Sequence, residues 1–183
     1  MKTRSQRFNT YLCLTLAAAL AGGCKTQESK RQNELATLQL RQEVPRDSTG
    51  GSETITVHRD PLVQLSVSRT PFLTEGRVKQ AKVIDVPGGY ELSVQFDTEG
   101  AWLLEQYAAA SRGQHIAIFS QFADPPDYKL NKGRWLAAPK ITAHISNGWL
   151  IFVPDATREE AERIATGLSN VAKKLGNNES PNW

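Results

Sequence analysis

The sequence predicts an α+β domain: a mostly antiparallel sheet with two long helices and one short helix packed on one face. Three observations carry this. Tyr90, Leu92, Val94 and Phe96 alternate with Glu91, Ser93, Gln95 and Asp97, the pattern of a strand with one buried and one wet face. Past Asp97 the period changes, and Leu103, Leu104, Tyr107, Ala108 and Ala110 recur at helical spacing, with Asp97 or Thr98 as cap and Gly113 as stop. Near the end, Ala161, Ile164, Ala165, Leu168, Val171, Ala172 and Leu175 form one apolar stripe. It runs between a capping box at Thr157–Glu160 and the stop at Gly176, with Lys173 and Lys174 in the last turn.

In chain order, residues 1–23 read as an export signal: a basic start, the apolar run Tyr11–Leu20, then the small residues Ala21, Gly22 and Gly23. Residues 24–53 are polar and charge-balanced and read as a flexible tether, with Glu34–Glu43 as a transient helix. The folded domain is expected over 54–176. Thr54–His58 and Leu62–Ser68 alternate as strands around Pro61; Pro71 and Thr74 open a short helix through Gln80; Ala81–Val86 is a strand. Pro87-Gly88-Gly89 turns that strand into Tyr90–Asp97 as a hairpin. After the first long helix come a buried strand, His115–Phe119, and a surface loop, Gln121–Lys132. Trp135–Ala138 leads to a second hairpin, Ile141–Ile145 and Trp149–Val153, joined at Ser146-Asn147-Gly148. Residues 177–183 read as a disordered tail.

The 183 residues suit one domain with appendages. The formal charge of +3 comes from Lys2, Arg4 and Arg7, so the chain from Cys24 onward is neutral. Neutrality without a basic stripe argues against nucleic acid, whose binding needs clustered cations. The two cysteines, Cys13 and Cys24, both lie in the leader region, which excludes a disulfide scaffold, a thiol nucleophile and a cysteine metal cage from the folded part.

Leu20-Ala21-Gly22-Gly23-Cys24 resembles the lipobox of bacterial lipoproteins. That resemblance implies a diacylglyceryl group and fatty acyl chains such as palmitate on Cys24, and anchorage in a bacterial membrane with the domain periplasmic or extracellular. A cleaved secretory signal with an incidental cysteine is the alternative. Lys25 follows the cysteine, and by resemblance to the sorting rule of enteric bacteria this favours the outer membrane.

A second resemblance spans about Leu62 to Leu175. Leu73-Thr74 precedes Val78-Lys79-Gln80-Ala81; Val94-Gln95-Phe96 leads to Glu99-Gly100-Ala101; Gly113 precedes Ile116-Ala117-Ile118. Ala137-Ala138-Pro139 with Ile141, Ile145 with Gly148, and Glu160-Ala161 with Ala165 and Leu168 complete the order. The ordered set resembles the head subdomain of the first periplasmic domain of SecD, the accessory subunit of the bacterial preprotein translocase. The resemblance implies that fold, and unfolded polypeptide or translocase and envelope proteins as partners. The membrane helices on which SecD's proton-linked role depends have no counterpart in this sequence.

Chemistry is sparse. His58, His115 and His144 are scattered, Asp124 and Asp127 lack a regular series of oxygen ligands, and no nucleophile elbow, phosphate loop or zinc-protease motif occurs. No catalytic residue, metal or cofactor is assigned, and the protein is expected not to be an enzyme. The aromatics Trp102, Trp135, Trp149, Tyr107 and Phe122 supply core or a groove. Tyr128, Lys129, Lys132, Arg134 and Trp135, an aromatic-basic cluster in and beside the loop, are the candidate partner-binding residues. The expected function is a non-enzymatic binding or accessory module of the envelope, linked to protein export; the alternative is a structural envelope component that reuses the fold.

Overall fold

In the computed structural model, residues 33–47, 50–57, 62–124, 129–131 and 133–177 are described. The expected signal segment, Cys24 and the tail from residue 178 lie outside them, as do His58, Tyr128 and Lys132. The elements are β1 (Ala36–Gln42), β2 (Ser52–Val57), β3 (Val63–Ser68), β4 (Leu73–Thr74), a 3-10 turn (Glu75–Arg77), β5 (Val78–Val86) and β6 (Gly89–Phe96). There follow α1 (Thr98–Ala110), β7 (Ile116–Asp124), β8 (Lys129–Leu130), β9 (Arg134–Ala137), β10 (Trp149–Phe152) and α2 (Arg158–Leu175).

Every strand pairing is antiparallel. β1 lies between β4 and β7, and β7 carries β8 and β9 on its other edge, which makes a five-stranded sheet. β10, β6 and β5 form a three-stranded sheet, and β2 and β3 a separate hairpin. The alternation of β7 shows how the layers stack. Ile116, Ile118 and Phe122 join the main core with Leu104, Tyr107, Ile164 and Leu168 of the helices, while Ala117 joins Ile55, Val57, Leu65 and Val67 of the hairpin. The α+β architecture expected from the sequence is the one found, with both long helices on the main-core side.

Four local expectations are corrected. Glu34–Glu43 is not a transient helix in a tether: Ala36–Gln42 is β1, and the compact unit takes in the chain from Glu34. The reason is periodicity, since Ala36, Leu38 and Leu40 alternate with Thr37, Gln39 and Arg41, and both leucines are fully buried. The short helix over Thr74–Gln80 is a single 3-10 turn. Gly76 disfavours helix there, and from Val78 the chain is held in register opposite Phe96. The loop from Gln121 is shorter than expected, because β7 runs to Asp124 and β8 pairs back on it.

The fourth correction bears on function. Ile141–Ile145 is not a strand and does not pair with Trp149–Phe152. Its backbone is committed elsewhere: Ile141 N–H donates to Gln114 C=O at 2.8 Å, and Gly113 N–H donates to Ile141 C=O at 2.9 Å. Ile116 N–H likewise donates to Pro139 C=O at 3.0 Å, tying the segment to the entry of β7.

The helices end as their caps dictate. Asp97 Oδ1 accepts from Gly100 N–H at 2.7 Å and starts α1, which stops at Ala110 with Ser111 as C-cap, ahead of Gly113. Thr157 Oγ1 accepts from Glu160 N–H at 3.3 Å, and Glu160 Oε2 accepts from Thr157 N–H at 2.7 Å, the complete capping box. Leu175, the last residue of the expected stripe, is 57% exposed.

Candidate functional site

Successive residues of a strand point to opposite faces, and β9 divides the expected contact cluster on that rule. Arg134 faces the helices. It is hydrogen-bonded to Glu160 at the start of α2, and its guanidinium carbon lies 5.5 Å from the Phe122 ring centre. Trp135 faces the hairpin, edge-on to Phe119 with ring centres 5.2 Å apart and with the Arg41 guanidinium 5.4 Å from its own ring. Both side chains are half-buried and tie layers together, and Lys129 is exposed on β8. Arg134 and Trp135 therefore do not form one surface. Asp124 is engaged as well, accepting from Asn131 Nδ2 at 2.9 Å and pairing with Arg163 at 3.3 Å.

The histidines are separated. His115 donates its backbone N–H to Glu43 Oε2 and sets Nδ1 against the same oxygen, both at 2.8 Å. Tyr107 closes this cluster: its hydroxyl donates to His115 C=O at 3.2 Å, and its ring stacks on Phe72 with centres 4.3 Å apart. Burial pushes the Tyr107 phenol above its usual range, against opposing hydrogen bonds from Ser111 and Glu43. His144 Nε2 pairs instead with Glu105 Oε1 of α1 at 3.0 Å. Among the described residues no three His, Cys, Asp or Glu side chains come together as metal ligands. None of the described helices is long and apolar enough to cross a membrane.

What the structure does assemble is an open cleft of about 340 Å³ where the expected second hairpin is missing. Trp149, Leu150 and Ile151 of β10 form one side; Ile116 and the segment from Pro139 to Asn147 form the other. A second hollow of about 500 Å³, lined by Trp102, Thr98 and Glu105 of α1 with Lys79 and Gln95, shares Ser146 and Asn147 with the first. Trp102 is 55% exposed, so of the five aromatics it is the one most open to solvent. The sequence reading missed this site because alternation across Ile141–Ile145 suggested a strand that would have filled it. The exposed alternation Ile151 and Val153, opposite buried Leu150 and Phe152, was the available signal.

The fold has solved counterparts. A chain from a structure of SecDF, a membrane component that enhances protein export, matches 80% of this chain and 67% of its own length at 21% identity, with a TM-score of 0.51. A structure of SecDF in a super-membrane-facing form matches 80% of this chain at the same identity with a TM-score of 0.52, and there the match covers 20% of the solved chain. The SecD-like fold expected from the ordered sequence pieces is thus the fold observed. No family model and no curated protein matches the sequence.

Proposed function

We propose that this protein is a bacterial envelope lipoprotein, anchored through lipid on Cys24, whose domain acts as a non-enzymatic binding module for polypeptide in protein export. The likeness of fold to SecDF over 80% of the chain carries this reading. Two features support it. The cleft beside β10 is open and mixed in character, with Ile141, Ile145 and Ile151 among its apolar lining residues and His144, Ser146 and Asn147 among the polar ones, as suits a peptide better than a small charged metabolite. Lipid on Cys24 would hold the domain at the membrane without a membrane-spanning segment.

The test is purification of the lipidated protein from crosslinked envelopes with its partners identified by mass spectrometry. Recovery of translocase subunits or exported chains in transit is expected; recovery of neither would overturn the export reading and leave a fold reused in the envelope. A Cys24→Ala variant should release the protein from the membrane fraction, and unchanged sedimentation with membranes would overturn the anchor.

A further inference from the structure

The three-stranded sheet has two edges, and the fold treats them differently. On β5, Ala81 turns its backbone away from β6, and Ser169 of α2 meets it. The serine hydroxyl accepts from Ala81 N–H and donates to Ala81 C=O, each at 3.1 Å. That edge is capped at Ala81. On β10 the phase follows from Phe96 N–H, which donates to Gly148 C=O at 2.9 Å, so Gly148 and Phe96 form a hydrogen-bonded pair. Pairs alternate along an antiparallel ladder, so Leu150 opposite Val94 and Phe152 opposite Leu92 are bonded pairs as well. Trp149 and Ile151 then direct their backbone groups outward. Trp149 N–H is taken by Asn147 Oδ1 at 3.1 Å. Ile151 N–H, Ile151 C=O and Trp149 C=O have no partner among the described residues.

An unpaired edge is a template for another strand, and proteins commonly block it with charge, proline or a covering element. Here the edge carries Ile151, 49% exposed. The facing wall, from Pro139 to Asn147, stands off and leaves the 340 Å³ cleft. We propose that the outer edge of β10 docks an extended segment of another polypeptide, which adds as a strand beside Ile151 and sets an apolar side chain into the cleft.

The occupant follows from the chemistry of the edge. Outward N–H and C=O groups on Ile151 match a peptide backbone, which exchanges two hydrogen bonds with one residue of an antiparallel edge. Charge narrows it further: the one lysine lining the cleft is Lys140, and His144 beside it is engaged with Glu105. Lys140 has no carboxylate partner among the described residues, so a segment with an acidic residue beside the apolar one is favoured.

This inference rests on the polypeptide-binding reading and deepens it, and its test separates the two. The probe is a short labelled peptide of alternating valine and threonine ending in aspartate, titrated into the purified full chain, with a lysine-ended peptide as comparison. Ile151→Pro removes the outward N–H without removing a β6 bond, a position where an edge strand tolerates proline. It should weaken binding by about tenfold or more. Lys140→Glu should reverse the preference between the aspartate and lysine peptides. Amide exchange on the unsubstituted chain decides the matter even where the proline variant fails to fold: Ile151 N–H should become protected when peptide is bound. Peptide binding with Ile151 unprotected would overturn the docking edge and leave the polypeptide reading standing. Binding of neither peptide would overturn both, and protection of Ile151 by self-association alone would assign the edge to a second copy.

Discussion

Gly167 of α2 lies against Ala36 of β1 with no space for a side chain between them. A Cβ at Gly167 would stand 2.6 Å from Ala36 N and 2.7 Å from the carbonyl carbon of Leu35. The neighbours are backbone atoms of a strand end, which cannot swing aside as a side-chain tip does. Asn170 adds a bond nearby, its Nδ2 donating to Glu34 C=O at 3.0 Å. Gly167→Ala gains about 1 kcal/mol of helix propensity but meets an overpacking cost of about 1–3 kcal/mol. A net loss of up to about 2 kcal/mol is expected in urea unfolding; a stabilised variant would show that α2 and β1 are not in this contact.

β1 is the strand that joins β4 to β7, so the folded unit depends on residues upstream of Thr54. Leu38 and Leu40 are both fully buried in the main core. Leu38→Ala should cost about 2–5 kcal/mol, the range for buried leucine truncations. A chain beginning at Thr54 should fail to show cooperative thermal unfolding, while one beginning at Asn33 should retain it. Equal unfolding of the two fragments would restore the boundary expected from composition.

These two cases show where the sequence was legible. α2 could be read nearly to the residue because its stripe, capping box and terminal glycine all point the same way, and local signals sufficed. β1 was obscured by its setting: a strand surrounded by polar sequence looks like tether, although Ala36, Leu38 and Leu40 alternate cleanly. The segment Ile141–Ile145 failed for the opposite reason. Its alternation is real, but Ile141 gives its backbone to Gln114 and Gly113, a long-range commitment that no local pattern displays. The candidate site suffered likewise, since Arg134 and Trp135 are adjacent in sequence while one packs toward Glu160 and the other toward Phe119.

Ser169 caps the outer edge of β5 at Ala81. Ser169→Ala leaves Ala81 N–H and C=O without their partner in a half-buried position, at an expected cost of about 1–3 kcal/mol. Thr157→Ala, which removes a cap at the other end of the same helix, should cost about 1 kcal/mol, with Thr157→Ser close to neutral. The two sites are independent, so a double variant should lose the sum of the two; strong non-additivity in chemical denaturation would show that the ends of α2 are coupled.

Tyr107 should set part of the alkaline stability of the fold. Burial raises its phenol above the value of about 10 that an unfolded tyrosine shows. At a pH between the two values the unfolded chain has released the proton while the native chain keeps it. The unfolded state then binds fewer protons, and stability falls as pH rises. The contribution is complete below the unfolded value and is lost as pH climbs through the folded one. Tyr107→Phe should begin about 0.5–1.5 kcal/mol lower at neutral pH through loss of the bond to His115 C=O. It should then fall less steeply, so the two stabilities converge toward high pH. Urea midpoints for both chains from about pH 8 to about pH 11 would measure this, and parallel curves would show that Tyr107 ionises as freely in the fold as in the unfolded chain.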